Sequence, residues 1–207
     1  MREIVVCIHG LWMKGWLMRP MCRYLDSFGH ECKRFSYPSL RYSPQRNAQL
    51  LGAYTDGLDA DVIHFVAHSL GGIVLLHYFQ IFDTARPGRV VMLGPPLKGS
   101  SVARYMSRNR FFRDVLLGAS SSSLLGNVPG WNGTRPLAVL AGTRGLGIRQ
   151  MLGVPLDQPN DGAVAVSETR VRSCTIHKLI PYSHVEMLLA KPVAAMVDEF
   201  LRTGNIT

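Results

Sequence analysis

Val62-Ile63-His64-Phe65-Val66-Ala67-His68-Ser69-Leu70-Gly71-Gly72 is the stretch whose reading decides the fold. The apolar run from Val62 to Ala67 reads as a strand buried on both faces, and Ile73, Leu76, His77 and Gln80 begin a helix immediately after it. Ser69 therefore stands on a strand-to-helix turn. A turn this sharp needs small residues two before and two after the serine, since a larger side chain would collide with the neighbouring helix or strand, and Ala67 and Gly71 meet that demand. The turn lifts the hydroxyl off the carboxyl end of the sheet and leaves the backbone N–H of Leu70 facing the same space. The alternative is a serine that merely caps a helix.

Outward from this turn, strands and helices alternate. Ile4 to Ile8 is a β-branched run that ends at His9-Gly10, and Trp16, Leu17, Met21, Tyr24, Leu25 and Phe28 recur at helical spacing until Gly29. Glu31 to Tyr37 reads as a more polar strand and Pro44 to Leu58 as a helix. Further strands are expected at Arg89 to Leu93, which ends in Gly94-Pro95-Pro96, at Pro136 to Ala141 and at Cys174 to Leu179. Val185 to Leu201 closes the chain as one or two helices broken at Pro192. This order predicts an α/β fold of about six strands, in a mainly parallel sheet with helices on both faces. Residues 98–134 and 143–170 do not fit the alternation. The first is expected to be a helical, lid-like insertion, with Ser120 to Ser123 a flexible bend.

At roughly 150 residues per domain, 207 residues are expected to form a single domain spanning 1–207. An apolar fraction of 47% with 18% charged residues excludes a disordered or collagen-like chain. No stretch reaches the roughly eighteen consecutive apolar residues of a membrane-spanning helix. Met1 leads within three residues into the first strand with no cleavage site after it, so a cytoplasmic protein is expected. The net charge of +9 favours an anionic partner such as a phosphate, a phospholipid surface or nucleic acid. Cys7, Cys22, Cys32 and Cys174 are irregularly spaced and form no Cys-x-x-Cys pair, so neither disulfide staples nor a metal site is expected.

On the Ala67-His68-Ser69-Leu70-Gly71 turn the chain resembles the α/β-hydrolase family, and more narrowly its small lipases and esterases, over nearly its whole length. The resemblance implies a serine nucleophile at Ser69, with oxyanion donors from the N–H groups of Leu70 and of Leu11 in the His9-Gly10-Leu11-Trp12 loop. Serine needs a base with an ordinary pKa near 6.5, and Tyr182-Ser183-His184-Val185 resembles the terminal histidine segment of the family. His184 is the candidate base. His177, His64 and His77 read as packed residues, His30 as a surface one, and His68 is expected to point away from the apex of the turn. Pro159-Asn160-Asp161-Gly162-Ala163-Val164 resembles the family's acid loop, which makes Asp161 the orienting carboxylate and Asp157 the alternative. The order Ser69, Asp161, His184 is the order this fold uses. Gly94-Pro95-Pro96-Leu97 also resembles a lipase segment, supporting the family but no catalytic role.

Trp12, Met13 and Trp16 are candidates to wall an acyl pocket, with core packing as the alternative. Lys98, Arg104, Arg108, Arg110 and Arg113, interleaved with Tyr105, Phe111 and Phe112, suit either an anionic membrane surface or a solvated helical face. Gly142-Thr143-Arg144-Gly145-Leu146-Gly147 lacks the order of a nucleotide-binding loop and reads as a plain one. The expected activity is hydrolysis of a small-molecule or lipid carboxylic ester through an acyl-enzyme, without metal or organic cofactor. Thioesterase and acyltransferase reactions would use the same residues. A non-catalytic module binding an anionic membrane or partner is the competing class, and nucleic-acid binding ranks last because no nucleic-acid motif accompanies the charge.

Overall fold

Alternate residues of the first strand, β1 (Glu3–Ile8), enter two different cores: Ile4, Val6 and Ile8 face one side of the sheet, Val5 and Cys7 the other. A strand buried on both faces has no polar side to show, which is why its sequence is continuously apolar. The computed structural model describes residues 1–82, 86–133, 135–146 and 153–207. Within them β2 (Glu31–Phe35), β3 (Val62–His68), β4 (Val90–Leu93), β5 (Leu137–Gly142) and β6 (Ile176–Ile180) join β1 in one sheet, in the order β2-β1-β3-β4-β5-β6. Every pairing is parallel.

One core lies beneath α2 (Pro44–Asp56) and α3 (Leu70–Ile81), the other beneath α1 (Arg19–Ser27) and α6 (Lys191–Thr203). A shorter helix, α5 (Glu186–Leu189), precedes α6, and Pro192 sits in the first turn of α6, where a missing N–H costs nothing. Helix α3 runs through the larger core with nine of its twelve residues buried, so it has no polar stripe. The chain turns back on its own order at β1, with β2 on one side and β3 on the other. Loops leaving the carboxyl ends of β1 and β3 therefore diverge and leave a crevice between them, which is where open parallel sheets place their ligands.

The insertion after β4 begins with α4 (Ser101–Ser107) and continues as short turns through Leu124, one of them a wide π turn at Arg113–Leu117. The expected flexible bend at Ser120 to Ser123 is instead packed. Ser120 is fully buried and its hydroxyl donates to the carbonyl of Ser39 at 2.7 Å, while Ser121–Leu124 forms a helical turn. Residue 134, where the insertion was expected to end, and residues 147–152 lie outside the described residues. Strand β2 stops at Phe35, two residues short of expectation, because Tyr37 leaves the sheet edge to stack on His9 at 4.2 Å. His30, expected at the surface, has a largely covered side chain that meets Asp198 at 2.7 Å.

Burial pushes His9, His64, His68, His77 and His177 below the ordinary histidine pKa. Each takes up a proton less readily in the native state than in the unfolded chain, whose histidines titrate near about 6.5, so stability must fall as the pH is lowered through that range. The thermal unfolding midpoint is expected to be lower at pH 5.5 than at pH 7.5, a window above the titration of ordinary carboxylates. A midpoint that is level or rises on this acidification would contradict the assignment.

Candidate active site

Ser69 occupies the left-handed region at φ 54°, ψ −121°, a conformation that costs a non-glycine residue about 1–2 kcal/mol and is held here by close packing. Its N–H donates to the carbonyl of Leu93 at 2.9 Å, continuing the β3–β4 ladder one residue past the strand. Gly71 follows, and a Cβ there would lie 2.8 Å from the carbonyl oxygen of His9 and 2.9 Å from that of Ile8. The small residue expected two places after the serine is thus demanded by the end of β1, which α3 touches backbone to backbone. Leu70 is the first residue of α3, and its N–H belongs to the helical turn whose donors have no intrahelical partner.

The loop after β1 meets this turn directly. A Cβ at Gly10 would lie 3.0 Å from the Cβ of Ser69. Buried His9 holds the loop: its Nε2 accepts from the N–H of Tyr37 at 3.2 Å, its Nδ1 lies 2.8 Å from the Gly10 carbonyl, and the Tyr37 hydroxyl donates to the His9 carbonyl at 2.7 Å. Since Nε2 is an acceptor, Nδ1 carries the proton and donates to Gly10. Trp12 has φ 58°, and its indole N–H donates to the carbonyl of Leu116 at 2.6 Å, tying this loop to the insertion.

Asp161 and His184 come together from opposite sides of β6. The imidazole Nδ1 lies 2.7 Å from Asp161 Oδ2, and the His184 N–H donates to the Asp161 carbonyl at 2.9 Å. Asp161 is buried; its other oxygen accepts the N–H groups of Ala163 at 2.9 Å and Val164 at 2.7 Å. A carboxylate fixed by two backbone donors holds the imidazole with Nδ1 protonated, leaving Nε2 free to accept a proton. The contact lies against Gly94, where φ is +54° and a Cβ would approach Asp161 Oδ2 to 2.7 Å. Sequence reasoning gave Gly94 no part in the site, and only its place after β4 hinted at one. Asp157, the alternative acid, is exposed, and its carbonyl accepts from the Asn160 side chain at 3.0 Å.

His68 differs from expectation. Its ring lies 4.5 Å from that of His184, and Nε2 is 2.9 Å from the His184 carbonyl, so it carries the proton and donates. Burial, aided by the neighbouring His184 charge, lowers its pKa well below the ordinary value and keeps it neutral. The last residue of β3 points toward His184 because the strand alternation that buries Ala67 on one face sends His68 to the other. Two further acidic residues brace the site: Glu168, which escaped the sequence reading, and Glu186, which reads there as too near His184 to orient it. Buried Glu168 accepts from the Ser101 N–H at 2.6 Å, the Ser101 hydroxyl at 2.7 Å, Arg104 at 3.1 Å and the Ala165 N–H at 3.0 Å, clasping the insertion to the acid loop. Glu186 accepts from the Ser183 N–H at 2.8 Å and from Arg144 at 2.9 Å, bracing the turn that carries His184.

Ser69, His184, Leu11, Trp12 and Met13 all line one cavity of about 330 Å³, whose far wall is apolar and comes from Val102, Met106, Leu117 and Leu124. Ser69 and His184 share this cavity without a hydrogen bond between them, whereas the imidazole–carboxylate contact is fully formed. Trp16 does not line the cavity and is 63% exposed. Its segment opens as a 3-10 turn (Gly15–Met18) that buries Gly15 and Met18, which moves the tryptophan off the inward face. The Gly142 to Leu146 part of the glycine-rich loop packs near Asn160, as a plain loop; its last residue, Gly147, lies outside the described residues.

Several solved structures share this architecture. A lipase from Bacillus licheniformis, BlEst2 in its mature form, is 19% identical and superposes with a TM-score of 0.68, over 96% of this chain and 90% of that one. The metagenomic carboxyl esterase MGS0156 is 18% identical with a TM-score of 0.71, over 95% of this chain and 73% of that one. Phospholipase PlaB from Legionella pneumophila, in complex with thio-NAD, is 15% identical with a TM-score of 0.70; the match covers 97% of this chain but 58% of that one. A comparison with curated proteins found no match. Identities this low establish the shared fold alone. The profile of the Alpha/beta hydrolase family, however, matches residues 5–198, nearly the entire length, and on that match the chain belongs to the alpha/beta hydrolase family.

Proposed function

We propose that the protein is a serine hydrolase that cleaves carboxylic esters through an acyl-enzyme. The observation that carries this reading is the Asp161–His184 contact of 2.7 Å beside a strained serine turn, both opening on one apolar cavity. Ser69 Oγ attacks the ester carbonyl while His184 Nε2 takes its proton, and Asp161 stabilises the imidazolium without itself accepting the proton. The N–H groups of Leu11 and Leu70 hold the oxyanion, each donor being worth about 3–4 kcal/mol in sites of this kind. His184 then protonates the leaving alcohol. Water enters, gives its proton to His184, and attacks the acyl carbonyl to release the acid and restore Ser69. A thioester, or transfer of the acyl group to an alcohol, follows the same steps with a different leaving or entering group.

The cavity wall supplied by Val102, Met106, Leu117 and Leu124 favours an aliphatic acyl chain, since each buried methylene contributes about 0.8 kcal/mol. On the outer surface of the insertion Phe111 is 67% exposed, Phe112 49% and Val115 52%. Across 98–133 there are five cationic side chains and one acidic one, Asp114. Exposed aromatics inside a cationic surround match an anionic bilayer, where each basic residue contributes about 1 kcal/mol. We place the substrate's source there, in the lipid of an anionic membrane.

A fluorophosphonate probe is expected to label the wild-type protein, with labelling abolished in Ser69→Ala; a folded wild type that resists the probe would favour the non-catalytic module. His68→Phe preserves the ring's bulk but loses the donor to the His184 carbonyl. Its kcat is expected to fall about fivefold to tenfold with little change in KM, as removal of one hydrogen bond worth ~1 kcal/mol implies. Sedimentation with vesicles is expected to retain the protein on anionic but not zwitterionic lipid. Replacing Arg108 and Arg110 by glutamate should weaken this retention by more than about tenfold; equal binding to both vesicle types would remove the membrane from the proposal.

A further inference from the structure

Three thiols meet on the side of the sheet covered by α1 and α6. Cys7 lies on β1, Cys32 on β2 and Cys22 on α1, and their sulfur atoms all lie within 4.8 Å of one another. The register explains the first pair: Cys32 pairs with Val5 and Arg34 with Cys7, so both cysteines project to the same face. Helix α1 then lays Cys22 over them, with Met21 and Leu25 buried beside it. Cys7 is fully buried, Cys22 is 5% exposed and Cys32 is partly exposed; all are free thiols.

We propose that Cys7, Cys22 and Cys32 form a three-coordinate site for a monovalent thiophilic metal ion, Cu(I) in kind. Thiolate sulfur selects soft ions, foremost Cu(I) and zinc. A metal–sulfur bond of about 2.3 Å sets three sulfurs about 4.0 Å apart in a trigonal plane, so the observed cluster closes on an ion with sub-ångström side-chain movement. Zinc takes four ligands in structural sites. Among the described residues no histidine, aspartate or glutamate joins the three sulfurs, and burial of Cys7 and Cys22 leaves little room for a water ligand. Three soft ligands without a fourth suit Cu(I). Each thiol that coordinates releases its proton to solvent, and the partly exposed Cys32 gives the ion its way in. Sequence spacing argued against any metal because the cysteines stand 15 and 10 residues apart; only the fold assembles them.

The site is independent of the hydrolase reading and is tested without reference to activity. Reduced, oxygen-free protein is titrated with Cu(I) against a chromogenic Cu(I) chelator. One ion per chain is expected to be withheld from the chelator, with affinity weakened on the order of 100-fold in Cys32→Ser and retained in Cys174→Ser. In the wild type, bound Cu(I) should slow alkylation of Cys32, read by mass spectrometry, and leave Cys174 unaffected. This second measurement decides the matter if Cys32→Ser does not fold. Failure to compete with the chelator, retention by a folded Cys32→Ser variant, alkylation of Cys32 unaffected by Cu(I), or displacement of Cu(I) by equimolar Zn(II) would each overturn the proposal.

Discussion

The backbone of α3 rests on the end of β1 at Gly71, within about a carbon's width of two carbonyl oxygens, and the rest of the site is arranged around that approach. It fixes where the helix begins and forces Ser69 into its unfavourable conformation. It also brings the loop after β1 against the serine. The strain at Ser69 persists because both flanking elements are locked in cores that would lose far more by relaxing than the turn would gain. Gly10 on one side and Gly94 on the other allow backbone to lie where a methyl group would intrude.

Around this contact the histidines divide by chemistry. His9 and His68 are buried, neutral and committed to backbone carbonyls, so they hold loops in place; His184 is paired to a carboxylate and faces the cavity. The tautomers follow from the partners: Nδ1 is protonated in His9, Nε2 in His68 and Nδ1 in His184. Only the last presents a free basic nitrogen beside the serine. Burial that lowers the pKa of His9 and His68 thus suits them to structural roles as neutral imidazoles.

What the chain discloses by itself is whatever depends on near neighbours. The serine turn was legible because Ala67, Ser69 and Gly71 lie within five residues, and the strands because a short β-branched apolar run between turn residues suits little but a buried strand. Asp161 and His184 were reached through their order and their loops' resemblance to a family, and the structure joins them at 2.7 Å. Contacts made at long range were not legible. The clasp of Ser101 on Glu168 spans 67 residues and the bond from His68 to the His184 carbonyl spans 116. Trp16 was misplaced for a local reason, since a 3-10 turn shifts the phase of a helical stripe, and periodicity alone cannot signal it.

The indole bond from Trp12 to Leu116 spans 104 residues and joins two parts of the molecule with different tasks. It makes the loop after β1 and the insertion a single mechanical unit at the mouth of the cavity. Under the proposed mechanism, a guest large enough to displace the insertion would have to sever that bond or pull Trp12, and with it the adjoining amide of Leu11, away from Ser69. Under that mechanism, guest size is coupled to reactivity through one side chain.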